Sequence, residues 1–272
     1  MGKDNEGPFG SASVAEGYRL RLEPVIFAPW ARRLIDFVGL APGQVVLDVA
    51  SGTGVVARAA AVRTGPRGRV IASDISPGML AHVATGVDPS GAKVETLECS
   101  ATALKLPDAS VDVVLCQQGF PFIPDRAAAA REMRRVLRPG GKAGVAVWLA
   151  GKRLEPIQTY SEVLQAQGVP EPFPQAYVTD QRRMSVAEVE QALKAGGFTA
   201  VEVATQELEL AWPDLEAAVL GITGTPFAPA FTALDGAAQG RVLTAVRGRL
   251  TGGDGKPIRQ VMTAVQGKGT AG

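Results

Sequence analysis

A doubly wound α/β domain is the fold this sequence predicts, and three observations carry the prediction. Short apolar, β-branched segments recur between stretches of helical periodicity, as in a parallel sheet covered on both faces. The first segment, Val45-Val46-Leu47-Asp48-Val49, runs straight into Ala50-Ser51-Gly52-Thr53-Gly54. That turn is stripped of side-chain bulk, so backbone N–H groups can approach a ligand closely. Asp74 closes the second apolar segment, 22 residues beyond Gly52. A carboxylate there can accept hydrogen bonds from the ribose of a nucleotide-like ligand.

The elements follow in order. Residues 1–13 are polar and glycine-rich and read as disordered, and residues 14–272 read as one domain. Tyr18 to Val38 reads as helical because Phe27, Trp30, Leu34 and Phe37 recur at helical spacing, with Pro24 and Pro29 expected to break it. Strand 45–49, helix 53–63, strand 69–73, helix 77–85, strands 93–98 and 111–116, helix 125–137 and strand 142–148 come next. Stretches 89–91 and 105–110 are turn-rich. After Trp148 the composition changes, and 150–182, rich in Pro and Gln, is expected to hold one helix and an irregular lid. Ser185 and Glu188 have the spacing of a capping box, and Gly196-Gly197 ends the helix they open. Thr199 to Leu210 reads as a strand. A second insertion, 213–250, reads as helical with a Gly/Pro break at 221–229, and Ile258 to Gln266 reads as the last strand.

Bulk properties narrow the function. The 28 basic and 27 acidic residues leave a net charge of +1, with no basic stripe of the kind that binds nucleic acid. Arg131, Arg134, Arg135 and Arg138 have the spacing of one solvated helix face. Cys99 and Cys116 fall in or beside interior strands and read as small buried hydrophobes. No Cys/His cluster suggests a metal, no apolar run suggests a membrane span, and the N-terminus lacks a signal peptide's apolar stretch. The expectation is a cytoplasmic monomer or homodimer acting on a small molecule, without metal, nucleic acid or membrane.

The glycine turn alone fits two cofactors. Gly52-Thr53-Gly54-Val55-Val56-Ala57 has the G-x-G-x-x-A spacing of dinucleotide sites, and Asp48 to Gly54 has the D-x-A-x-G-x-G spacing of S-adenosylmethionine (SAM) sites. Later segments separate the two. Asp74-Ile75-Ser76-Pro77-Gly78-Met79-Leu80, the run Ser100-Ala101-Thr102-Ala103-Leu104-Lys105-Leu106-Pro107-Asp108-Ala109-Ser110-Val111-Asp112, and Glu132-Met133-Arg134-Arg135-Val136-Leu137-Arg138-Pro139-Gly140-Gly141 occur in that order. With them the chain resembles class I SAM-dependent methyltransferases, in the branch of quinone biosynthesis and of bacterial natural-product enzymes. The resemblance is concentrated between Val45 and Trp148.

That resemblance implies a Rossmann-like sheet of seven mostly parallel strands with an antiparallel last strand, N-terminal helices and a helical lid. It implies SAM as methyl donor and S-adenosylhomocysteine as product. Tyr18, Asp48, Ala50, Ser51, Gly52, Thr53, Gly54, Asp74, Ile75, Met79, Ser100, Ala101, Thr102, Cys116 and Gln117 stand at its cofactor positions. Asp74 or Ser76 also reads as a plain helix cap, and Met79 as core. Phe27, Trp30, Phe120, Phe122, Trp148, Tyr160 and Tyr177 are candidate substrate contacts, and the first four read equally as packing residues. Relatives often carry two histidines where this chain has Pro121 and Phe122, and its single histidine, His82, lies on the helix after Asp74. Gln117 and Gln118, at the carboxyl end of a parallel strand, are left to orient an acceptor. The reading is methyl transfer to a small apolar or aromatic metabolite, oxygen before nitrogen or carbon. A SAM-binding protein without methyl transfer is the alternative. An NAD(P) oxidoreductase is the remote one, opposed by the Pro139-Gly140-Gly141 turn and the lack of a Tyr-x-x-x-Lys pair.

Overall fold

The computed structural model describes residues 12–169, 183–250 and 257–272. Seven strands form one sheet: β1 (Val45–Val49), β2 (Arg69–Asp74), β3 (Lys93–Glu98), β4 (Val111–Gln117), β5 (Leu137–Trp148), β6 (Thr199–Trp212) and β7 (Ile258–Thr270). Their order is β3-β2-β1-β4-β5-β7-β6. β1 pairs in parallel with β2 on one side and β4 on the other, and β7 runs antiparallel to both β5 and β6. The chain therefore winds outward in opposite directions from the β1/β4 pair. A crevice opens at such a reversal, beyond the carboxyl ends of the two strands.

Strand parity sorts the side chains between two cores, because alternate residues face opposite sides of a sheet. Val46, Val113 and Leu115 join Trp30, Leu34, Val56 and Trp148 in one core, whereas Leu47, Val49, Val114 and Cys116 join Phe120, Met133 and Val145 in the other. By the same parity Asp48 and Gln117 belong to the first side, under the N-terminal helices.

Those helices run without interruption from Ala12 to Val38: α1 (Ala12–Gly17), a wider π-type segment (Tyr18–Phe27) and α2 (Ala28–Val38). Neither proline breaks the run. In the wide segment the hydrogen bonds reach five residues back, as when Ala28 N–H donates to the Glu23 carbonyl, and Pro24 is accommodated there. Pro29 sits in the first turn of α2, where an N–H needs no partner. The helix begins at Ala12, inside the stretch read as disordered, with Val14 and Ala15 buried.

The other helices near the crevice are α3 (Val55–Thr64), α4 (Pro77–Leu80) and α5 (Arg126–Val136). α4 is shorter than the 77–85 expected. Beyond Leu80 the N–H groups of His82, Val83 and Thr85 bond only three residues back, a run of tight turns. The capping box of Ser185 and Glu188 is present on helix Val186–Ala195. In the two insertions, Ile157–Ala166, Leu215–Leu220, Ala228–Thr232 and Gly236–Arg249 are helical.

Candidate active site

The turn after β1 is built on left-handed backbone. Ala50 (φ 52°), Gly52 (φ 55°) and Gly54 (φ 88°) all have positive φ, which costs a residue with a Cβ of order 1–3 kcal/mol. Ser51 N–H anchors the turn to the Ser73 carbonyl at 2.9 Å. A Cβ on Gly54 would come within 3.1 Å of Val83, so glycine is needed there for packing. A Cβ on Gly52 would meet only the Met79 methyl, at 4.0 Å, and would point into the open crevice.

Asp74, at the end of β2, faces this turn. Gly52 N–H donates to its Oδ2 at 2.8 Å and Ser76 N–H to its Oδ1 at 2.9 Å. Ser76 is the helix cap, accepting from Met79 N–H at 3.3 Å. Asp74 is therefore held by backbone donors, and each of its oxygens retains capacity for a further hydrogen bond. Asp48 is 1% exposed. Its Oδ2 accepts from Ala57 N–H at 3.0 Å, while its Oδ1 has no partner among the described residues, and neither does the buried hydroxyl of Ser51. Burial pushes the Asp48 carboxyl well above the usual carboxylate range, and burial raises Asp74 as well.

At the rim, Ile75 leaves an apolar side chain 49% exposed and Met79 is buried beside it. The Ser100 and Thr102 hydroxyls lie 2.9 Å apart, and Thr102 N–H donates to Ser100 Oγ at 3.2 Å. Ser100, Ala101 and Thr102 are half-buried.

Two residues the motif reading passed over complete the turn. Glu23, on the wide helical segment, is only 6% exposed. It accepts the Thr53 hydroxyl and pairs with the Arg58 guanidinium. Arg58 also donates to the carbonyls of Thr53 and Val83. The available signal was an acidic residue inside the apolar run Leu22-Glu23-Pro24-Val25-Ile26.

Aromatic side chains pack together on the first side of the sheet. Tyr18 stacks on Phe27 at 4.6 Å, Phe27 meets Trp148 at 6.2 Å, and Trp30 meets Trp148 edge-on at 5.8 Å. Burial, then the charges of Glu23 and Asp48, hold the Tyr18 hydroxyl well above its ordinary pKa, so it stays neutral. Gln117 Nε2 donates to the Phe27 carbonyl at 3.0 Å and so ties β4 to the helix. Gln118, left-handed at φ 59°, accepts from Trp148 N–H at 3.0 Å. Buried without a partner among the described residues are Gln117 Oε1, Gln118 Nε2 and Trp30 Nε1.

Other candidates lie elsewhere. Phe120 is fully buried in the second core with Cys116 and Met133, which accounts for it as a packing residue. Cys116 is equally buried, and burial pushes its thiol far up. Phe122 is half-buried, and His82 is half-buried in the turns after α4. Tyr160 is fully buried and its hydroxyl donates to the Ala218 carbonyl, so it locks the two insertions together. Tyr177 falls outside the described residues. Among the described residues no group of three or more His, Cys, Asp or Glu side chains could hold a metal ion, and no helix is long and apolar enough to cross a membrane.

Residues 46–141 match the sequence family described as a methyltransferase domain. An uncharacterised protein of Mycobacterium tuberculosis is 36% identical over 168 residues, 60% of this chain and 60% of that protein. A ubiquinone/menaquinone biosynthesis C-methyltransferase of Xanthomonas campestris is 38% identical over 138 residues, 49% of this chain and 54% of the relative. The chain thus spans between half and two thirds of the length of these relatives. Among solved structures, a putative methyltransferase from an antibiotic biosynthesis pathway of Anabaena variabilis superposes with a TM-score of 0.61 at 19% identity, covering 88% of this chain and 96% of its own. Phosphoethanolamine N-methyltransferase 2 of Haemonchus contortus, in complex with SAM, also gives 0.61, at 17% identity, covering 98% and 59%. The protein therefore has a Rossmann-like fold shared with these methyltransferase structures, and within it residues 46–141 match the methyltransferase-domain family.

Proposed function

We propose that the chain binds SAM at the turn between β1 and α3 and transfers its methyl group to a small apolar or aromatic acceptor, at oxygen in preference to nitrogen or carbon. The observation that carries this reading is the organisation of Asp74 and Asp48 around an open glycine turn. Asp74 is fixed by backbone donors with acceptor capacity remaining, and Asp48 has a buried oxygen with no partner among the described residues.

The residues suit the cofactor in detail. Asp74 would accept the ribose hydroxyls, and Ala101 N–H with the Ser100 and Thr102 hydroxyls would meet the adenine edge. Ile75 and Met79 would flank the ring. Gly52, with no Cβ, together with Ala50, Thr53 and Gly54, would let the backbone reach the methionine part. Asp48 and the Ser51 hydroxyl offer acceptors for its ammonium group. Tyr18 would cover the site, and the backbone of Cys116 and Gln117 would complete it from β4. The bound cofactor supplies a methyl group already activated on a sulfonium.

The protein's task is then placement. Phe27 and Trp148, backed by the fully buried Trp30, would supply apolar aromatic surface beside the site, with Phe122 and Tyr177 further candidate contacts. Gln117 Oε1 can accept the hydrogen of an acceptor hydroxyl, and Gln118 Nε2 can donate to a second oxygen. Neither takes a proton at neutral pH, so the acceptor's proton passes to solvent. Holding two reactants in line is worth roughly 7–11 kcal/mol of barrier, enough to carry a reaction with an activated donor.

A carbon acceptor is the second reading, favoured by the name of the Xanthomonas relative. We attach a cytoplasmic role in tailoring a secondary metabolite, and an assembly no larger than a homodimer, to the same proposal. The test is to incubate the protein with labelled SAM and a panel of phenols, quinols and aromatic amines. S-adenosylhomocysteine formation that depends on the acceptor supports transfer, and NMR of the product assigns the methylated atom. Tight SAM binding with no product across the panel would favour a binding protein instead.

A further inference from the structure

We infer that Glu23, bonded to the Thr53 hydroxyl and the Arg58 guanidinium, is a specificity-determining positioning residue that makes the site favour the cationic cofactor over its neutral product. The inference rests on the cofactor reading of the β1–α3 turn.

Glu23, Asp48 and Asp74 bring three carboxylates to the turn, and the guanidinium of Arg58 opposes them. All four reach the same few residues: Glu23 the Thr53 hydroxyl, Asp74 the Gly52 N–H, Arg58 the Thr53 carbonyl and Asp48 the Ala57 N–H just beyond the turn, with Tyr18 within range of each charge. After burial, Glu23, Asp48 and Asp74 each push its hydroxyl pKa up, and Arg58 pulls it down. Glu23 is the carboxylate contributed by the N-terminal helices, and it enters the turn through Thr53, between Gly52 and Gly54. SAM carries one more positive charge than S-adenosylhomocysteine, at the sulfonium. Negative charge fixed at the turn therefore stabilises the substrate form selectively, and the preference vanishes once the methyl has left.

The ion pair with Arg58 prevents Glu23 from being a simple counter-ion. Arg58 holds the Thr53 and Val83 carbonyls, so the pair keeps the carboxylate at a fixed place beside the turn. Glu23→Gln is close to isosteric and keeps an oxygen for the Thr53 hydroxyl, but removes the charge. A purely structural role predicts equal losses for both ligands, whereas a charge role predicts unequal ones.

The experiment is calorimetric titration of the full chain with SAM and with S-adenosylhomocysteine, at low salt, for wild type, Glu23→Gln and Arg58→Gln. For Glu23→Gln, SAM affinity should fall by at least about fivefold more than product affinity. Arg58→Gln should move the ratio the opposite way, and it carries the test if the first variant does not fold. Parallel losses for the two ligands in the folded variants would overturn the inference and leave Glu23 a structural latch. Absence of SAM binding by the wild type would instead remove the cofactor reading itself.

Discussion

Asp74→Ala probes the centre of the site. In the structure both carboxylate oxygens are held by backbone N–H groups, Gly52 at 2.8 Å and Ser76 at 2.9 Å, so the carboxylate is aimed before any ligand arrives. The reading gives it two further hydrogen bonds, one from each ribose hydroxyl. Hydrogen bonds to a charged group contribute about 1.5–3 kcal/mol each. Losing two costs about 3–6 kcal/mol, which at 1.4 kcal/mol per tenfold is a hundredfold to ten-thousandfold in Kd. Calorimetric titration with SAM measures this directly. Asp74→Asn keeps one acceptor oxygen, which Gly52 N–H and the ribose must share, so its affinity should fall between the two. The fold should survive, because Ser76 and not Asp74 caps α4. A folded Asp74→Ala protein with SAM affinity within twofold of wild type would refute the placement of the ribose.

Three further outcomes follow from the same geometry. Gly52→Val puts a β-branched side chain at φ 55° and fills the open space above the turn. It should cost about 1–2 kcal/mol of stability, read by chemical denaturation, and abolish SAM binding in a fold unchanged by circular dichroism. Gln117→Ala strips the Phe27 carbonyl of its donor and removes the buried Oε1. Turnover should fall about tenfold or more with SAM affinity little changed, and the pH profile should keep tracking the acceptor's own pKa. Asp48 and Asp74 have raised pKa values in the folded protein, so the folded state holds protons that the unfolded chain has released. Stability of the ligand-free protein should therefore fall as pH rises from the unfolded carboxylate range through the raised folded values, and level off above them. SAM, as a cation, favours the ionised forms, so its affinity should rise over the same window. Asp48→Asn should flatten both dependences, weaken SAM binding and raise the thermal midpoint of the ligand-free protein at neutral pH.

The sheet was legible because its signals are local. Val45, Val46 and Leu47 are apolar on both faces of the strand, the glycines follow within a few residues, and Asp74 ends the next strand. The capping box at Ser185 needs only residues three apart. Where local rules failed, a neighbour overrode them. Pro24 and Pro29 break an isolated helix, yet here a widened segment takes one and the first turn of α2 takes the other, while Leu22, Ile26, Trp30 and Leu34 dock the whole run on the sheet.

The sequence by itself determined the doubly wound topology, the glycine turn after β1 and the place of Asp74 at the end of β2, because each depends on residue type within or beside a single strand. Tertiary structure alone decided how the aromatics are sorted between the two cores. Phe27, Trp30 and Trp148 meet across the first core, whereas Phe120 is drawn into the second and Tyr160 is locked to Ala218. It also decided that Glu23, 30 residues before Thr53 and 35 before Arg58, is buried against both. Such pairings depend on how two helices and a turn meet in space, and a buried charge such as that of Glu23 is little screened by solvent.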